Sequence, residues 1–151
     1  MELEDRFLDN VDWLIPNEYE FEIISGLKLS EENILDFSSK IYSNLIVTLG
    51  KRGAFLVEDN NLIEFGAPTV EVEDTTGAGD TFLGFLLAAI DNGVELESAL
   101  KLSAAAAAIQ ITRDGAVRAI PLLKEVEEFA SLSTYKVKPV SYTHLRAHET
   151  R

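Results

Sequence analysis

The chain has no cysteine, and only one methionine, one tryptophan and two histidines in 151 residues. Without cysteine there are no disulfides and no thiolate metal sites, and a cytoplasmic address is the default expectation. Long apolar runs are also lacking. The longest, Phe82–Ile90 and Leu102–Ile111, fall short of the ~20 residues needed to span a bilayer, so no membrane partner is expected. Met1–Asp12 is acidic, unlike the basic start of a secretory signal. Basic charge is scarce, with 13 Lys and Arg against 26 Asp and Glu, a net charge of −13. Such a chain repels a phosphate backbone, which argues against nucleic acid as a partner. A small phosphorylated ligand is not excluded, because backbone donors and magnesium bind it locally.

What is present suits a globular domain, with 46% hydrophobic residues. Trp13-Leu14-Ile15, closed by Pro16, predicts a buried strand end. Asn17 then offers an N-cap for a helix over Glu18–Ser25 that stops near Gly26. Ser30 caps a second helix with Glu31 and Glu32 in its first turn and Ile34, Phe37 and Ile41 on one face. Leu45–Thr48 reads as a strand. Ala54–Val57 and Leu62–Phe65 flank the turn-prone Asp59-Asn60-Asn61 and predict a hairpin. Thr69–Glu73 alternates and reads as a further strand. The small residues of Thr76–Gly79 open a helix to about Asn92, ended by Gly93, and a second long helix covers Glu95 to Ile111. After a turn at Asp114-Gly115 and Pro121, a last helix is expected over Leu122–Ala130. Strands alternating with helices predict an α/β layered sheet, and no internal repeat is present.

The final segment breaks this pattern. Val140–Arg151, VSYTHLRAHETR, has no apolar period and resembles translated adapter read-through. Residues 133–151 are accordingly expected to be a disordered, non-native tail. His144 and His148 stand four apart, but two histidines make an incomplete metal site, and Leu145 stands where HExxH has glutamate.

The chemistry concentrates in Asp74-Thr75-Thr76-Gly77-Ala78-Gly79-Asp80-Thr81-Phe82. An extended segment enters a turn of small residues, and the turn opens a helix. The first N–H groups of a helix have no intrahelical partner and, with the helix dipole, make an anion site. Asp80, in the first turn, either complements the dipole or accepts a proton from a substrate hydroxyl beside that site. Two phosphate-binding alternatives fail. GxGxxG needs glycine where Phe82 stands, and the one Gly-Lys pair, Gly50-Lys51, is followed by Arg52 rather than Ser or Thr.

DTTGAGDTF resembles the C-terminal signature of the ribokinase-like (PfkB) carbohydrate kinases. Three more segments match in order. Asn17-Glu18-Tyr19-Glu20 resembles the family's NxxE motif, Thr48-Leu49-Gly50-Lys51-Arg52-Gly53 its TLGxxG strand–turn, and Ile111–Ala116 with Ile120-Pro121 a cation-site loop. Alone, Asn17 and Glu20 also read as a helix cap, and Thr48–Gly53 as an ordinary strand exit. The resemblance covers roughly residues 12 to 130 and implies a three-layer α/β/α sandwich with a mostly parallel sheet. It further implies that Asp80 is the catalytic base that meets the sugar, with the Gly77, Ala78 and Gly79 backbone as anion hole. ATP would be met by Asn17, Thr48, Leu49, Gly50, Lys51, Arg52, Gly53, Gly79, Asp80 and Ala104. Relatives often carry asparagine near position 104, and Ala104 has no side-chain hydrogen bond to offer. Magnesium would be held through water near Glu20. A potassium-like ion would sit with Asp74, Thr76, Gln110, Arg113, Gly115 and Ala119.

By this resemblance residues 1–132 are the C-terminal, nucleotide-binding half of a kinase, and the half carrying the lid, a Gly-Gly segment and most sugar contacts is missing. A sheet cut in this way exposes an apolar edge, so the isolated chain is expected to self-associate and to have little activity. The intact form would phosphorylate a sugar, ribose first among the candidates, with fructose, 2-keto-3-deoxygluconate, a phosphosugar or a nucleoside open. A homodimer of that form is also open. Two rival readings remain: a catalytically silent nucleotide- or ligand-binding protein on the same scaffold, which retention of Asp80 opposes, and a dinucleotide-binding oxidoreductase domain, which the missing third glycine opposes.

Overall fold

The computed structural model describes residues 5–140 of the chain; the His144 and His148 pair lies outside them. Contacts divide the chain into two compact units. One holds the residues up to Leu49, Ala54–Phe65 and the strand from Val137. The other holds Gly50–Gly53 and Gly66–Lys136.

The first unit begins with a short helix α1 (Asp5–Leu8) and strand β1 (Trp13–Leu14). Helix α2 (Glu18–Ser25) starts on a capping box: Asn17 Oδ1 accepts the Glu20 N–H at 2.9 Å, and Glu20 Oε2 accepts the Asn17 N–H at 2.9 Å. It stops at Gly26, whose left-handed backbone returns an N–H to the Glu22 carbonyl. Helix α3 (Glu31–Ser39) is capped by Ser30, as its sequence predicts. Strand β2 (Asn44–Thr48) follows, then the hairpin of β3 (Ala54–Glu58) and β4 (Asn61–Phe65). Its two-residue turn has positive φ at both Asp59 (49°) and Asn60 (61°), the geometry that suits the right-handed twist of paired strands. Phe21, Ile34, Phe37, Leu45, Val47 and Leu62 form the core, and the Phe21 and Phe37 rings meet edge to face at 5.7 Å.

The sheet runs in the order β1-β2-β3-β4-β5. Its β1–β2 pair is parallel and the other three pairs are antiparallel. Connection length explains the difference from a mostly parallel expectation. Parallel neighbours need a crossover, which α2 and α3 supply between β1 and β2, whereas two residues join β3 to β4. The last strand, β5 (Val137–Val140), corrects the expected disordered tail over those four residues, while residues 141–151 lie outside the described ones. It pairs with β4, placing Lys138 opposite Glu64 and Pro139 opposite Ile63. It lies at the edge of the sheet, where a proline costs no ladder bond on its open side.

The second unit is helical. Helix α4 (Ala78–Asp91) and helix α5 (Leu96–Ile111) are joined at Gly93, a 3₁₀ turn covers Val117–Ala119, and α6 (Leu123–Leu132) closes the unit. Ala105, Ala106, Ile109 and Val126 pack with Phe85 and Phe129, so the alanine run serves close helix packing. Thr69–Glu73 forms no strand, contrary to its alternation. The backbone there has a different partner: the Glu73 and Asp74 N–H groups both donate to the Ile111 carbonyl at the end of α5.

Candidate active site at the start of helix α4

Gly77 caps α4 with φ of 77°, a left-handed turn that swings the chain from the segment through Asp74 into the helix. The Thr81 N–H donates to the Gly77 carbonyl at 2.9 Å, and the Ala78 N–H to the Thr75 carbonyl at 3.3 Å. The N–H groups of Gly79 and Asp80 have no acceptor among the described residues. A Cβ on Gly79 would meet nothing within 4 Å, so the space beside this turn is open. The Asp80 side chain is exposed and lines a cleft of about 690 Å³, together with Gly77, Phe85, Ile120 and Leu123. Bare amide donors and a free carboxylate on one helical turn can bind an anionic group and accept a proton beside it.

The turn before α4 is held from two sides. Asp74 Oδ1 accepts the Thr76 hydroxyl at 2.6 Å and the Thr76 N–H at 2.9 Å, while Oδ2 accepts the Gly115 N–H at 3.2 Å. From the other side comes Gln110, buried to 1% exposure on α5. Its Nε2 donates to the Thr76 carbonyl at 2.9 Å and more weakly to the Ala116 carbonyl at 3.4 Å, and its Oε1 accepts the Thr81 hydroxyl. Asp74, Thr76, Gly77, Gln110 and Gly115 therefore come together. Arg113 turns its guanidinium to Glu125 Oε1 at 2.6 Å, and Glu125 also accepts the Leu122 N–H that opens α6. Ala119 is buried in the 3₁₀ turn. Ala104 is buried within α5.

The remaining predicted residues divide between the two units. In the first, Asn17 and Glu20 form the capping box, and Asn17 makes a parallel bridge to Thr48. Leu49 is buried there. In the second, Gly50, Lys51 and Arg52 form a 3₁₀ turn, and the Gly53 N–H returns to the Gly50 carbonyl at 3.0 Å. Sequence reasoning missed the Thr81–Gln110 pair. Both are polar residues within mainly apolar helices, which is the signal that could have marked the pair; the sequence named Gln110 only as a cation-site residue.

Thr76 holds the Asp74 carboxyl below the usual aspartate value, chiefly through its hydroxyl, and the N–H groups of Thr76 and Gly115 add to this. A folded value below the unfolded one stabilises the turn above the unfolded value. That contribution is lost as pH falls through the lowered one. The Thr76 and Gly115 amide resonances should therefore move together in acid, with one midpoint below the ordinary ~3.9 of aspartate. A midpoint at or above that value would contradict these bonds.

Residues 2–123 match the sequence profile of the pfkB family carbohydrate kinases. The chain belongs to that family. Among its pfkB relatives, the ribokinase of Haemophilus influenzae is 32% identical over 132 residues, a match that covers 84% of this chain and 43% of that protein. The structure of Arabidopsis thaliana ribokinase complexed with ribose and ATP is 29% identical with a TM-score of 0.80, covering 88% of this chain and 45% of that one. A Ribokinase II structure from E. coli, in complex with ATP and magnesium, is 30% identical with a TM-score of 0.75, covering 84% of this chain and 41% of that one. The chain thus spans less than half the length of the pfkB proteins it matches. No helix among the described residues is long and apolar enough to cross a membrane.

Proposed function

We propose that this chain supplies the phosphate-binding and proton-accepting part of an ATP-dependent sugar kinase. One observation carries the reading: the Gly79 and Asp80 N–H groups lack acceptors at the N-terminus of α4, with the exposed Asp80 carboxylate on the same turn. The relatives crystallised with ATP, with ribose and with magnesium supply the expected ligands. The acceptor is proposed as a class, the hydroxyl of a ribose-like sugar.

In this reaction the sugar oxygen forms a bond to the γ-phosphorus and the bond from that phosphorus to the bridging oxygen of ADP breaks. Catalysis of such a transfer is positioning and charge stabilisation. Asp80 takes the hydroxyl proton as the new bond forms and later releases it to water. The N–H groups of Gly79 and Asp80 meet the charge on the transferring group, while Gly77 and Ala78, whose N–H goes to the Thr75 carbonyl, shape the turn. Gly50–Gly53 and Ala104 are proposed to adjoin the nucleotide.

Magnesium neutralises phosphate charge when bound, and Glu20 with Asn17 is proposed to organise it. The donor set fits an ion held through water: one Glu20 oxygen is taken by the cap, and no cluster of three acidic or histidine side chains exists among the described residues. For a monovalent ion, Asp74 with the carbonyls of Thr76, Gln110, Arg113, Gly115 and Ala119 offers oxygen alone, which suits a hard cation.

The test is binding by the 151-residue chain followed by turnover in a chimaera joining it to the unmatched segment of a ribokinase. Saturable binding of magnesium-ATP and sugar-dependent ADP release are expected. Binding without turnover on any sugar in the chimaera would favour the silent binder instead.

A further inference from the structure

We infer that Gln110 and Thr81 form a positioning pair that sets the anion-binding turn, a reading that rests on the proposed function. A buried glutamine carboxamide has two donors and an acceptor to satisfy, and here each has a reason. The Thr81 hydroxyl donates to Oε1, which fixes the orientation of the amide. Nε2 is thereby turned toward the Thr76 carbonyl at 2.9 Å and the Ala116 carbonyl at 3.4 Å. Thr76 immediately precedes Gly77, and Thr81 immediately follows Asp80. The pair therefore grips the turn on both sides of the donors at Gly79 and Asp80, and ties it to the loop after α5.

Both side chains border the cleft that Asp80 lines, but their polar atoms are bonded to each other and to the backbone of the turn. Gln110 is 1% exposed and Thr81 5% exposed, so both act through the backbone they hold. The aim of the N–H groups, rather than their existence, is what the pair controls. An anion hole works because its donors are fixed before charge arrives, so loosening the turn weakens anion binding without removing any donor.

The experiment is a titration of the 151-residue chain with inorganic phosphate, read at the Gly79 and Asp80 amide resonances. Wild type should saturate. Gln110→Met, which keeps the volume but donates nothing, should bind phosphate roughly tenfold more weakly, as should Thr81→Val, while Thr81→Ser restores wild-type binding. Circular dichroism and amide dispersion check folding, and should Gln110→Met not fold, the two Thr81 variants decide. Equal affinity in Thr81→Val and wild type overturns the pair while leaving the proposed function intact. No saturable response in wild type overturns both.

Discussion

Asp80→Asn should cut turnover by roughly 10²–10⁴-fold in a completed kinase containing this chain, the usual contribution of one general base. The substitution is nearly isosteric and leaves the donors at the head of α4 in place. It removes only the ability to take a proton. Affinity for magnesium-ATP should stay close to wild type, because the amide donors and not the carboxylate meet the phosphate. The fold should barely register the change: Asp80 is exposed, and a first-turn carboxylate contributes about 0.3–1 kcal/mol through the helix dipole. The split is the informative part. A large loss in kcat at constant KM for ATP, with an unchanged melting temperature, assigns Asp80 to the chemical step. Equal turnover in the variant would remove it from that role and leave it the plain task of complementing the helix dipole.

Much of the secondary structure was legible because it is local. The Asn17 cap, the Gly26 stop, the Ser30 cap and the Asp59-Asn60 turn are each decided by a few neighbouring residues, and they appear where the sequence predicts them. So does the opening of α4 at Gly77. Where partners are distant in sequence, the reading failed. Thr69–Glu73 alternates like a strand, but alternation states only that one face could be buried, and its backbone instead meets Ile111. Val137–Val140 holds Lys138 and Pro139 and follows Lys136, which reads as loop until β4 is known to lie beside it. The Thr81–Gln110 contact joins residues 29 apart on two helices, and neither periodicity nor capping rules address such a pair. The nine-residue signature could name the chemistry while saying nothing of what holds it in place.

The strongest structural test of that support is a comparison of two glycines on one helix. Gly77 begins α4 with φ of 77° and Gly93 follows it with φ of 76°. Alanine at either position pays the same left-handed penalty, about 1–2 kcal/mol, so that part cancels. The surroundings differ. A Cβ at Gly93 would meet nothing within 4 Å, whereas at Gly77 it would lie 2.8 Å from Gln110 Nε2. Gln110 is fully buried and bonded at both ends of its amide, so it cannot swing aside without leaving the Thr76 carbonyl and the Thr81 hydroxyl unpaired. Gly77→Ala should therefore destabilise the chain by a further ~1–3 kcal/mol beyond Gly93→Ala, the usual cost of overpacking. It should also weaken phosphate binding, which Gly93→Ala should not. Shortening the obstacle separates strain from clash: in a Gln110→Ala background the excess cost at position 77 should largely disappear, and the double-mutant cycle measures by how much. If denaturant melts show the two glycine variants equally destabilised, Gly77 is needed only for its backbone angle, and the buried glutamine does not press on the turn.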